Sequence, residues 1–230
     1  MKRKDFYPLI FLVAVFAPFF IFEGAYRFYD EFYGSFPFIT SFIKFAVLAT
    51  AGEVIGLRIR TGSYSANNFG LVPRAIVWGF LGITIQAAFI IFARGVPELL
   101  TFAGANDATS VMAGPLTPAK VGVAFAVSAL LNIFYAPVLM VTHKITDTHI
   151  VMNGGTVSGF LKPVRVRDIL ERTDWQMLWG FVIKKTIPLF WIPAQTINFL
   201  MPEKFRVLIA AIYGIILGVI LAFSARAKND

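Results

Sequence analysis

Cysteine is missing from all 230 residues, which excludes a disulfide, a thiolate nucleophile and a cysteine-ligated metal. Charge is scarce as well: 15% of residues are Asp, Glu, Lys or Arg, against about 25% in soluble domains. With 57% hydrophobic residues and a mean hydropathy of +0.72, a soluble core is excluded, and the chain reads as an integral membrane protein. Histidine is nearly as rare. His143 and His149 stand six apart on opposite faces of a helix, at a membrane boundary, with Asp147 the only nearby acid. They read as surface residues and not as a metal site. No HExxH, nucleophile elbow, phosphate loop or clustered carboxylates occur, so the sequence predicts no enzyme, no metal and no cofactor.

The net charge of +8 comes from basic residues that fall between apolar runs. That placement suits anionic lipid headgroups on the cytoplasmic side and membrane topology, and not nucleic acid. About 20 residues cross the ~30 Å hydrocarbon layer as a helix. Six segments meet that ruler: Phe6–Phe22, Phe36–Leu57, Val72–Ala93, Val121–Val141, Met177–Leu200 and Phe205–Phe223. The expected fold is an all-α, polytopic bundle forming a single transmembrane domain over 1–230. The number falls to five if Met177–Leu200, with Lys184 and Lys185 at its centre, is re-entrant.

Phe6–Phe22 is long, rich in phenylalanine and without a small-x-small cleavage site, so it reads as a retained span and not a signal peptide. With six spans and cytoplasmic termini, thirteen Lys and Arg fall inside and five outside, as the positive-inside rule prefers. Gly95–Pro118 and Lys144–Pro163 read as loops. The segment 165–179 sets Val166, Ile169, Leu170 and Trp175 against Arg165, Arg167, Asp168, Glu171 and Arg172, the pattern of an interfacial amphipathic helix.

Polar residues inside apolar helices are the candidate site. Stepping ~100° per residue puts Gly52, Glu53, Gly56 and Arg60 on one face of the second span. The Gly52/Gly56 pair allows close helix contact, which sets Glu53 in a seam. There it either lines a polar path or forms a buried ion pair with Arg60, Arg74 or a lysine of the fifth span. Gln86 in the third span either joins such a path or makes one interhelical hydrogen bond. In the fifth span Lys184, Pro188, Trp191, Gln195 and Asn198 align if the helix stays regular. Pro188 and Pro193 deprive the carbonyls of Lys184 and Leu189 of their partners, as in a broken helix lining a cavity.

Trp191, Pro193, Gln195, Asn198, Phe199, Pro202 and Arg206 form a pattern with further matches upstream: Ala51-Gly52-Glu53, Arg74 and Phe134-Tyr135-Ala136-Pro137. This pattern resembles the family that includes the twenty-two-kilodalton peroxisomal membrane protein and the mitochondrial inner-membrane protein linked to mitochondrial DNA maintenance. The resemblance covers 42–223, leaving 1–35 as an additional amino-terminal span. It implies a helical membrane protein with weakly selective, channel-like passage of small solutes. On that reading Glu53, Gln86, Asn132, Lys184, Lys185, Gln195 and Asn198 are the polar-path candidates, and the lysines favour anions. The alternative is a non-conducting scaffold or lipid-binding protein. A homo-oligomer fits either reading. The absence of a transit sequence favours a prokaryotic cytoplasmic membrane over an organellar inner membrane.

Overall fold

Helix ends follow local chemistry. Pro37 and Pro118 sit in first turns, where their missing N–H is no loss, and the Thr117 side chain caps the second of these by accepting from Lys120 N. Gly62 closes a helix in the left-handed conformation (φ 75°), with Arg58 and Arg60 in its last turn against the negative helix end. The computed structural model describes residues 6–105 and 107–226, all-helical with no strand among them. The first half holds α1 (Tyr7–Ile21), α2 (Glu23–Ser35), α3 (Pro37–Thr61), α4 (Leu71–Phe102), α5 (Ala108–Ala113) and α6 (Pro118–Phe134). It continues with α7 (Ala136–Met152), α8 (Val157–Phe160), α9 (Val166–Arg172) and α10 (Trp175–Met177). A π-helix (Leu178–Trp191), α11 (Ile192–Leu200) and α12 (Glu203–Arg226) complete the chain.

Four helical stretches are long and apolar enough to cross a membrane: Pro37–Thr61, Leu71–Phe102, Pro118–Met152 and Glu203–Phe223. A fifth appears only if Ile10–Ile21 and Glu23–Ser35, bent by 95°, count as one span. Two of the six expected segments differ from simple spans. Helix α1 has 15 residues, or ~22 Å, and ends where Phe22 turns extended. Met177–Leu200 is helical throughout, yet it is divided between a 14-residue π-helix and the nine-residue α11.

The expected loops are shorter than their composition suggests. Helix α4 carries Pro97 internally and runs to Phe102, and α7 continues through His149 to Met152. Thr146 and Thr148 donate their hydroxyls back to the carbonyls of Thr142 and Lys144, so these polar residues are satisfied inside the helix. The amphipathic segment 165–179 contracts to α9, in which only Ile169 is buried. Asp174 then caps a new helix start.

Helix α3 packs along α4 and α12, and α6 packs against α4 and α11. The main core joins Phe45 and Leu48 with Ile85, Phe89, Val127, Phe199 and Val207. Helices α3 and α12 run parallel, since Gly52 meets Ile215 and Gly56 meets Gly218. Tyr7 stacks on Tyr64 at 6.1 Å between ring centroids, so α1 starts beside the α3–α4 turn. Helix α2 then crosses the opposite end of the bundle. Asp30 pairs there with Lys204 at 2.7 Å, and Tyr29 and Tyr33 place their rings 5.0 and 4.8 Å from the buried Lys44 Nζ. Lys44 Nζ makes no hydrogen bond, and the two ring faces supply its electrostatic partners. The amino-terminal segment is thus built into the bundle. Lys2, Arg3, Lys4 and Lys228, used in the charge count, lie outside the described residues.

The α3–α4 contact requires glycine at one point. A Cβ on Gly82 would lie 2.6 Å from the Ser41 carbonyl oxygen, which is backbone and cannot swing away. Gly82→Ala is expected to cost about 1–3 kcal/mol, read as a lower melting temperature in detergent. Gly95→Ala, in the same helix with nothing within 4 Å, is expected to stabilise by about 0.5–1 kcal/mol.

Candidate functional site

Helices α3, α4, α6, α7, α12 and the π-helix surround a cavity of about 460 Å³. Its walls are mostly apolar, with Phe45, Leu131, Leu139, Ala210 and Leu217 among them. Glycines 52, 56, 214 and 218 line its α3–α12 side. Gly214 and Gly218 have free space where a Cβ would stand.

Charge gathers at one end of this cavity. Glu53 accepts three hydrogen bonds: from Arg74 Nη1 at 2.5 Å, Trp78 Nε1 at 2.8 Å and His143 Nε2 at 2.9 Å. A carboxylate oxygen only accepts, so the proton sits on His143 Nε2. The imidazole also lies on the Trp78 ring, at 4.3 Å between centroids. Arg74 Nη1 forms a second ion pair with Asp147 Oδ1, and Arg74 Nε donates to Phe69 O at 2.5 Å. Asp147 Oδ1 has no hydrogen bond, so charge alone ties it to Arg74. The guanidinium thus fills the position between two carboxylates that a cation would otherwise take. Arg60, exposed and without an acidic partner among the described residues, stands at the rim.

His143, Met140 and Asp147 come from one face of α7, and Asn132 and Tyr135 from the end of α6 and the junction after it. Pro137 belongs to the first turn of α7, so Phe134-Tyr135-Ala136-Pro137 is where one helix hands over to the next. Tyr135 OH meets Thr84 Oγ1 at 2.7 Å across to α4. On the far wall Val182, Thr186 and Trp191 line the cavity at spacings of four and five, which fits the i→i+5 repeat of the π-helix.

A second void of about 120 Å³ lies between α4 and α12, lined by Gln86, Arg94, Glu203 and Arg206. Phe89 lines both voids. It is 4% exposed and packs edge-on against Phe199 at 5.3 Å, so one buried ring borders both spaces.

The sequence-predicted polar residues separate into four groups. Glu53, Asn132 and Gln195 line the large cavity. Gln86 is 2% exposed, accepts from Ser41 Oγ at 3.0 Å across the α3–α4 seam, and lines the smaller void. Lys184 and Lys185 are exposed on the outer face of the π-helix and reach neither void. The alignment of Lys184 with Trp191 and Gln195 assumed a regular α-helix. The wider turn changes which residues share a face, so Thr186 and Ile187 are buried in their place.

Asn198 is fully buried outside the cavity and donates to Gln195 Oε1 at 2.8 Å and Arg206 O at 2.9 Å. Arg206 returns the clasp, donating to Met201 O at 3.1 Å and Phe199 O at 3.3 Å. The Trp191–Arg206 pattern is therefore a lock on the α11–α12 turn, with Pro188, Pro193 and Pro202 on exposed positions around it. No family model, curated protein or solved structure matches the chain.

The histidine expectation is corrected. His149 is 3% exposed and bonded to Phe160 O at 3.0 Å, while His143 joins Glu53. Sequence reasoning passed over Trp78, His143 and Asp147. The His143–Asp147 spacing of four was the available signal, because it puts an acid and an imidazole on one helix face.

Arg74→Leu is expected to cost about 3–5 kcal/mol by leaving Glu53 and Asp147 uncompensated in apolar surroundings. Glu53→Gln leaves Arg74 paired with Asp147 and is expected to cost less. Thermal denaturation of the two purified variants checks the order.

Proposed function

We propose that this protein is a multi-pass membrane protein that passes small, largely uncharged solutes with weak selectivity, and that Phe89 closes the route. The observation that carries this reading is that the 460 Å³ cavity and the 120 Å³ void share Phe89. Their combined lining runs from Arg60 and Arg74, near the α3–α4 turn, to Arg94 and Glu203 near the other end of the bundle. A hydrophobic constriction between two wetter spaces is a standard way to hold a pore shut. The resemblance to the twenty-two-kilodalton peroxisomal membrane protein family carries the same expectation of small-solute passage.

The preference for anions is not carried forward. It rested on Lys184 and Lys185, which lie on the outside, and in the cluster at the cavity end Glu53 and Asp147 outnumber Arg74. The end bearing Arg58, Arg60, Arg74 and Lys144 faces the cytoplasm on the positive-inside rule, with α1 starting and α12 finishing there. A prokaryotic cytoplasmic membrane remains the favoured location.

Isosmotic swelling of proteoliposomes with lactamide, glycerol and acetate tests the proposal. Swelling is expected to exceed that of empty liposomes for lactamide and glycerol. Gly218→Leu, which places a side chain in open cavity space, is expected to slow it, and Phe89→Ala to speed it by about tenfold. Rates equal to empty liposomes for every solute, unmoved by Phe89→Ala, would leave the non-conducting, lipid-binding alternative in possession.

A further inference from the structure

Two buried amides on the cavity wall each have one polar group to spare. Asn132, 2% exposed, donates from Nδ2 to the Ser128 carbonyl at 2.9 Å. A carbonyl only accepts, so this contact fixes which end of the amide is nitrogen. Asn132 Oδ1 then has no hydrogen bond among the described residues. Gln195, 5% exposed, is fixed in the same way at one remove. Asn198 Nδ2 donates to Arg206 O at 2.9 Å and to Gln195 at 2.8 Å, so the Gln195 atom it meets is Oε1. Gln195 Nε2 is the group left over, likewise without a hydrogen bond among the described residues.

Ser128 Oγ donates to Ile192 O at 2.7 Å and ties the turn that carries Asn132 to the turn that carries Gln195. The cavity thus offers one free acceptor and one free donor against apolar walls. A ligand that pairs with both gains two hydrogen bonds that neither atom makes within the protein. At the charged end Arg74 stands between Glu53 and Asp147, and Asp147 Oδ1 is held there by charge without a hydrogen bond. At about 460 Å³ the space falls in the ~300–1,000 Å³ range of sites for small organic molecules.

We infer that the cavity takes a neutral amphiphile whose polar end both donates and accepts a hydrogen bond, such as a carboxamide or hydroxyl on an apolar chain. Asn132 Oδ1 and Gln195 Nε2 read that end, and the apolar walls take the chain. This rests on the reading of the cavity as a solute site, and it narrows the solute. Sites built to hydrogen-bond a group reject analogues that lack it far more strongly than apolar pockets reject a change of size.

Calorimetric titration of the protein in zwitterionic lipid nanodiscs, against empty nanodiscs, tests the inference with octanamide, octanol, methyl octanoate, octanoate and octylammonium. Octanamide and octanol are expected to bind at least about tenfold more tightly than methyl octanoate, which accepts but cannot donate. Gln195→Met and Asn132→Leu are each expected to erase that difference. The preference of the unaltered protein is decisive even if a variant fails to fold. Equal binding of octanamide and methyl octanoate, or tighter binding of either charged compound, overturns the ligand class. The solute-site reading survives that result if Gly218→Leu weakens all the compounds together. Absence of any binding above empty nanodiscs overturns both.

Discussion

A charged group surrounded by apolar helices must find its opposite or leave, and Arg74 is where this bundle meets that requirement. Its guanidinium binds carboxylates from two other helices and the Phe69 carbonyl as well. Each contact fixes one helix against another: α3 through Glu53, α7 through Asp147, and the α3–α4 turn through Phe69. Trp78 and His143 then take the remaining accepting capacity of Glu53. Arg74 offsets one of the two negative charges and Trp78 and His143 bond to Glu53, so the cavity lies beside paired groups and not beside a lone carboxylate.

Packing around that cluster depends on small residues in specific places. Gly82 lets α3 and α4 touch backbone to side chain, and Gly52 does so between α3 and α12. Gly214 and Gly218 are different: nothing fills the space a side chain would occupy there. Glycine therefore draws α3 and α12 together at Gly52 and leaves room beside the cavity at Gly214 and Gly218. The π-helix adds to the opening, since its wider turn sets Thr186 and Trp191 toward the cavity and leaves the two lysines outside.

Much of the architecture was legible in the order of residues. Apolar runs long enough to span, separated by basic turns, identify a helical membrane protein, and four of the runs coincide with long helices. The seam glycines followed from helical spacing, and so did the position of Glu53 among them. Pro188 and Pro193 predicted freed carbonyls at Lys184 and Leu189 in a broken helix. The polar side chains of the Trp191–Arg206 pattern, Asn198, Gln195 and Arg206, instead close the α11–α12 turn. What failed was register in the fifth run. An α-helical wheel gives the wrong face when hydrogen bonds step by five, and nothing in Leu178–Trp191 announces that change.

By itself the sequence determined that the chain has helices apolar enough to cross a membrane and roughly where the main ones lie, because both follow from hydropathy summed over neighbouring residues. It also limited the partners of Glu53 to a few basic residues, Arg74 among them. Only the tertiary structure decided that Arg74 is shared between Glu53 and Asp147, which lie 94 positions apart in α3 and α7. It likewise decided that Asn132 and Gln195 face one cavity, and that Phe89 borders two voids. Such pairings depend on where separate helices come to rest against each other, and that is set by packing across the whole bundle.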